Sequence, residues 1–138
     1  MNQRTQHDPA IVVRSLRKHF TGSRAVNDVS FAVERGEVFG ILGPNGAGKT
    51  TTVECITGAL RPDGGDITVL GVDPSHDRGV VRERVGYQMQ ASALPASLRV
   101  KEALDLYASF YASPAPVADL MDAVGLTSHR NRPFGKLS

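Results

Sequence analysis

Cysteine occurs once in these 138 residues, at Cys55. A single thiol excludes an intrachain disulfide framework and a four-cysteine zinc site. Long apolar runs are missing too, and nothing approaches the ~20 residues a membrane-spanning helix needs. Residues 1–9 are polar, without the apolar stretch of a secretory signal, so the sequence points to the cytoplasm. Neither sign of charge dominates: 16 Lys plus Arg face 14 Asp plus Glu, a formal charge of +2. Binding driven by counterion release needs a concentrated basic face, so no nucleic-acid partner is expected. The four histidines, His7, His19, His76 and His129, show no metal-ligand spacing. At 41% apolar and 22% charged, the chain has the balance of a folded globular protein. Its length suits one domain and not comfortably two. Glycine is the residue in surplus, and eight of the 14 lie between Gly36 and Gly65.

Periodicity predicts strands at residues 11–16 (IVVRSL), 29–33 (VSFAV) and 67–70 (ITVL). Glu34, Arg35 and Gly36 make a turn. Residues 38–42 (VFGIL), apolar apart from Gly40 and bounded by glycines, suit a strand buried on both faces. Residues 49–60 (KTTTVECITGAL) predict a helix with Val53, Ile56, Thr57 and Leu60 on one face, and Cys55 as a small core residue. Residues 80–84 suit a short helix and 85–89 (VGYQM) a further strand. From Ala91 the pattern turns helical: Val100, Ala103, Leu104, Tyr107, Phe110 and Tyr111 form one stripe, Val117, Leu120, Met121 and Val124 a second. Pro116 starts that second helix, and Gly125 is its left-handed cap with Leu126 behind it. The order, β-β-β-loop-α-β-α-β and then helices, is α/β.

The chemistry lies in Gly43, Pro44, Asn45, Gly46, Ala47, Gly48, Lys49 and Thr50, which fit G-x-x-x-x-G-K-[ST]. Composition alone would produce such a match about once in two hundred chains of this kind. It sits directly after a strand pattern and directly before a helix. A phosphate loop needs that placement, because backbone N–H groups must converge on an anion at a helix N-terminus. The glycines allow the loop's conformations and the close approach of oxygen. Lys49 brings a positive charge on a flexible stem to the terminal phosphates. The Thr50 hydroxyl is placed for Mg²⁺, and Thr51 can donate to the next phosphate.

Gly43 through Thr51, GPNGAGKTT, resembles the Walker A loop of the ATP-binding-cassette (ABC) ATPases. Residues 25–51 are similar to that family over their whole length, as is the later spacing Leu60, Pro62, Gly65, Ile67, Gly71. Val85 through Gln90 resembles the strand that ends in the family's Q-loop. Residues 98–104 (LRVKEAL) resemble the start of its helical subdomain, and Lys136-Leu137-Ser138 the opening of its LSGGQ signature. Within the family, the sequence is most similar to the drug-resistance and ABC-2-type exporters. The resemblance implies a P-loop NTPase core with an antiparallel β arm and the start of a helical subdomain, C-terminally incomplete. It implies a loose tail at 1–9, arm sheet and Walker A core at 10–90, and helical subdomain at 91–138. It implies binding of ATP and Mg²⁺: Phe20 stacks on adenine, Gln90 touches Mg²⁺ and the attacking water, and Thr50 is the second metal ligand. The partners it implies are a transmembrane permease, with the chain peripheral on the inner face of the membrane, and a second nucleotide-binding domain bound head to tail.

Three further expectations follow. Arg17, Lys18 and His19 form a basic cluster that reads as a solvated strand end. Arg99 stands where the family often has Thr, so Glu102 loses the reciprocal partner of a capping box and the helix start weakens by about 1 kcal/mol. The family's Walker B aspartate, the glutamate after it and the switch histidine are not among these residues. Asp73 does not replace the aspartate, since Pro74 follows it and its place is a turn. Phosphoryl transfer needs several positioned groups at once, so the chain by itself should bind nucleotide weakly, turn it over negligibly and aggregate readily. The alternative reading is a nucleotide-binding fragment without turnover. A GTPase would carry N-K-x-D, which does not occur, and a DNA-repair ATPase would add long heptad runs.

Overall fold

The computed structural model describes residues 8–88 and 94–137. The chain divides into two compact units, one reaching to Tyr87 and the other starting at Gln88.

In the first unit, strand β1 (Ile11–Phe20) pairs antiparallel with β2 (Ser23–Val33) and, on its other edge, with β3 (Gly64–Val69). The sheet order is β2-β1-β3. Strict alternation would send Val13 and Leu16, three residues apart, to opposite faces. Both are nevertheless buried, at 1% and 0% exposure. A bulge resolves this: between Val13 and Leu16 the register against β2 slips by one residue, and Ser15 takes a left-handed φ of 47°. The Ser15 N–H donates to Ser30 Oγ at 2.8 Å. β2 repeats the device at Asp28, φ 58°, which keeps Val26 and Val29 on the core side. Gly65, at φ 84°, lies so close to the Arg14 and Ser15 carbonyls that a side chain there would collide with them.

Helix α1 (Lys49–Ile56) lies on this sheet. It buries Thr52, Cys55 and Ile56 and ends where Gly58 turns left-handed, φ 72°. The helix is therefore four residues shorter than the pattern predicts. Its buried stripe is centred on Cys55, with Val53, Thr57 and Leu60 half-buried at its flank. Val13, Leu16, Val26, Cys55, Ile67 and Val81 meet in one core, the last from helix α2 (Arg78–Arg84).

Two expected strands do not form. Residues 38–42 form no regular secondary structure and pair with no strand among the described residues. Val38 is 99% and Leu42 93% exposed, while the Phe39 ring stacks on Phe31 at 5.0 Å. The apolar pattern was real, but burial on both faces needs neighbouring strands, and here one side is bare. Residues 85–88 are likewise not strand, and Met89 lies outside the described residues.

In the second unit, helix α3 (Val100–Ala108) buries Val100 and Ala103 and leaves Tyr107, Phe110 and Tyr111 largely exposed. Helix α4 (Val117–Ala123) follows Pro116 and buries Met121. It ends in a Schellman motif: the Leu126 N–H donates to the Met121 carbonyl at 2.7 Å, the Gly125 N–H to Asp122 at 3.0 Å, and Gly125 has φ 67°. The last residues, without any period in sequence, fold back through two short 3₁₀ turns (Thr127–His129, Phe134–Lys136). Val100 and Lys101 donate to the Arg132 and Arg130 carbonyls, and Phe134 to Leu98.

Candidate functional site

The loop between residue 42 and α1 is shaped by its glycines. Gly46 and Gly48 both hold left-handed φ, 82° and 85°. At Gly48 even a methyl group would run into the Ala25 carbonyl oxygen. No other residue fits both the φ and the space, and that contact seats the loop against the end of the β1–β2 hairpin. The Ala47 N–H closes the loop on the Pro44 carbonyl at 3.2 Å.

Gly48 is the N-cap of α1, and no side chain caps the helix. There is also no acidic residue in the first turn. The first N–H groups of a helix have no partner within it, and the dipole adds partial positive charge at this end. Lys49 curls back over the loop, its Nζ donating to the Gly43 and Pro44 carbonyls at 2.8 Å each. An ammonium satisfied by neutral carbonyls keeps its full charge and can exchange them for a stronger acceptor. Thr52, one turn on, is not free: its hydroxyl donates to the Gly48 carbonyl at 2.9 Å. Thr50 is exposed, Thr51 half-exposed. Uncapped amides, the Lys49 ammonium and the Thr50 hydroxyl form a donor set for a polyanion with its cation.

Phe20, at the end of β1, is 47% exposed on the hairpin end that Ala25 brings against Gly48. Gln90 lies outside the described residues. Asp73 sits in a turn, its carboxylate accepting the Ser75 N–H at 2.7 Å and lying 2.9 Å from His76 Nδ1. The Ser75 bond and the His76 ring hold its carboxyl below the ordinary carboxylate range.

The basic cluster beside Phe20 is a solvated strand end at Arg17 and His19, with side chains 53% and 47% exposed, but not at Lys18. Arg17 pairs with Asp28 at 3.5 Å, and Lys18, its side chain 13% exposed, donates to Asp63 Oδ1 at 2.8 Å. Asp63 Oδ2 accepts the His19 N–H at 2.7 Å. The Lys18 bond first, then the His19 bond, hold the Asp63 carboxyl down. Sequence reasoning missed Asp63 because its partners are 44 and 45 positions away. A turn residue's side chain carries no signal of such a contact.

A sheet arm, a glycine loop and a helix begun by Lys49 are the parts of a P-loop nucleotide-binding fold. Residues 26–138 match the ABC transporter family, and the chain belongs to that family. It is 37% identical over 129 residues to the probable multidrug ABC transporter ATP-binding protein YbhF of Escherichia coli (strain K12), covering 90% of this chain and 22% of that protein. To the daunorubicin/doxorubicin resistance ATP-binding protein DrrA of Streptomyces peucetius it is 37% identical over 133 residues, covering 93% of this chain and 40% of that one. A solved ATP-binding subunit of an ABC transporter superposes with a TM-score of 0.78 at 27% identity, over 94% of this chain and 56% of the other. A putative ABC transporter ATP-binding protein from Pyrococcus furiosus gives 0.74 at 25%, over 93% and 62%. The chain thus spans 22 to 40% of these two curated relatives. The drug-resistance names among them agree with the exporter resemblance read from the sequence.

Proposed function

We propose that this chain carries the ATP-binding part of an exporter-type ABC transporter ATPase. One observation carries the reading: α1 begins at Lys49 without any side-chain cap, and the Lys49 ammonium rests on the loop's own carbonyls at 2.8 Å. Backbone N–H groups of the loop from Gly43 to Gly48, other than Pro44, which has none, and the Lys49 ammonium would hold the terminal phosphates, with Thr51 on the neighbouring one. Thr50 and Gln90 would hold Mg²⁺, which when bound neutralises phosphate charge. Phe20 would stack on the base. Hydrolysis would belong to the complete domain, closed head to tail on a second copy and driving a membrane permease from the cytoplasmic face. Among the described residues, no helix is long and apolar enough to cross a membrane.

Titration of the chain with Mg-ATP tests this. Lys49→Ala should weaken binding at least ~10-fold, because a charge-assisted bond to phosphate is lost. Wild-type affinity in that variant would overturn the reading.

A further inference from the structure

Lys18 and Phe20 lie two residues apart on β1, so their side chains leave the same face of the strand. The Lys18 ammonium stands over the Phe20 ring, 5.8 Å from its centroid, within range of cation–π attraction. A free lysine would sample many rotamers and cover the ring only in passing. This one is held by Asp63 Oδ1 at 2.8 Å. Asp63 is held in turn by the backbone at the end of β1: its carboxylate accepts the His19 N–H at 2.7 Å, and its own N–H donates to the Arg17 carbonyl at 2.9 Å. A fixed carboxylate fixes the ammonium, and the fixed ammonium occupies one face of the ring.

We propose that Asp63 and Lys18 are positioning residues of the base subsite. They hold Phe20, 47% exposed, with the ammonium stationed over one face of the ring, a platform on whose other face a flat heteroaromatic base would stack. This rests on the reading of Phe20 as the stacking residue. Neither residue touches the base. Both act through the ring, so their removal weakens ligands that carry a base and leaves a bare phosphate chain unaffected.

The test is calorimetric titration of the full chain with Mg-ATP and, separately, with inorganic tripolyphosphate. Phe20→Ala should weaken ATP binding about tenfold. Lys18→Met, which keeps the apolar stem and removes the charge, and Asp63→Asn should each weaken it about two- to fivefold. Tripolyphosphate affinity should not move in any of them, and Lys18→Met should cost nothing further once Phe20 is alanine. Unchanged ATP affinity in Lys18→Met and Asp63→Asn, with Phe20→Ala still impaired, overturns the proposal and leaves the Phe20 reading standing. Full ATP affinity in Phe20→Ala overturns both. Equal loss of ATP and tripolyphosphate in Lys18→Met and Asp63→Asn means a structural role and overturns the proposal as well. If Asp63→Asn fails to fold, Lys18→Met with its double variant decides the matter.

Discussion

Cys55 and Asp63 show how much a residue's chemistry depends on where the chain puts it. Burial in the core under α1 pushes the Cys55 thiol up, disfavouring the thiolate that reacts. Native protein should therefore react with a disulfide reagent roughly 100-fold more slowly than unfolded protein. Equal rates would mean that α1 is not seated on the sheet. Asp63 works in the opposite direction. Its carboxyl is held below its ordinary 3.8 by Lys18 and the His19 N–H. A group depressed in the folded state contributes stability above its unfolded pKa and loses it as pH falls through the folded one. The melting temperature should thus drop as pH is lowered below about 4, and Asp63→Asn should flatten that slope. An identical acid limb in the variant would show that Lys18 and His19 hold some other conformation in solution.

At the scale of elements, caps and bulges decide more than propensity does. The start of α3 keeps half of a capping box: the Glu102 carboxylate accepts the Arg99 N–H at 2.9 Å. A guanidinium has no acceptor, so Arg99 returns nothing to the first-turn amides. Arg99→Thr should complete the box and stabilise the fold by about 1 kcal/mol, read as a rise in the denaturant midpoint. No gain would show that another group already serves those amides. The end of α4 was legible in the sequence, because Gly125 with Leu126 behind it spells the Schellman motif that forms. The bulges at Ser15 and Asp28 were not. Neither is a glycine, and each is needed because two core-facing residues lie three apart, a spacing whose meaning appears once the strands are paired.

Across the whole chain, the consequential feature is the bare side of residues 38–42. Val38 and Leu42 stand almost fully exposed, and a cleft of about 310 Å³ lies between this segment, β2 and the start of α1. Burying two such side chains is worth roughly 1.5–3 kcal/mol each, so this face attracts any apolar partner, another copy included. The 138-residue chain should self-associate, and Val38→Lys with Leu42→Lys should shift its sedimentation toward monomer. If the double variant associates as strongly as the parent, the adhesive surface lies elsewhere, and the exposed Tyr107–Phe110 edge pair at the end of α3 and in the turn after it becomes the next surface to alter.

The glycine loop ahead of α1, the two-helix section and its glycine cap were determined by the sequence itself. Each depends on local rules: glycine where φ is positive, and apolar residues at helical period. Tertiary structure decided the rest. It ended α1 at Ile56, because Gly58, packed against the Pro74 carbonyl, takes a left-handed φ. It left residues 38–42 without a strand partner among the described residues, because a strand exists only with a neighbour to bond. It tied Asp63 to Lys18 and His19, because hydrogen bonds depend on distance in space, which separation along the chain does not encode.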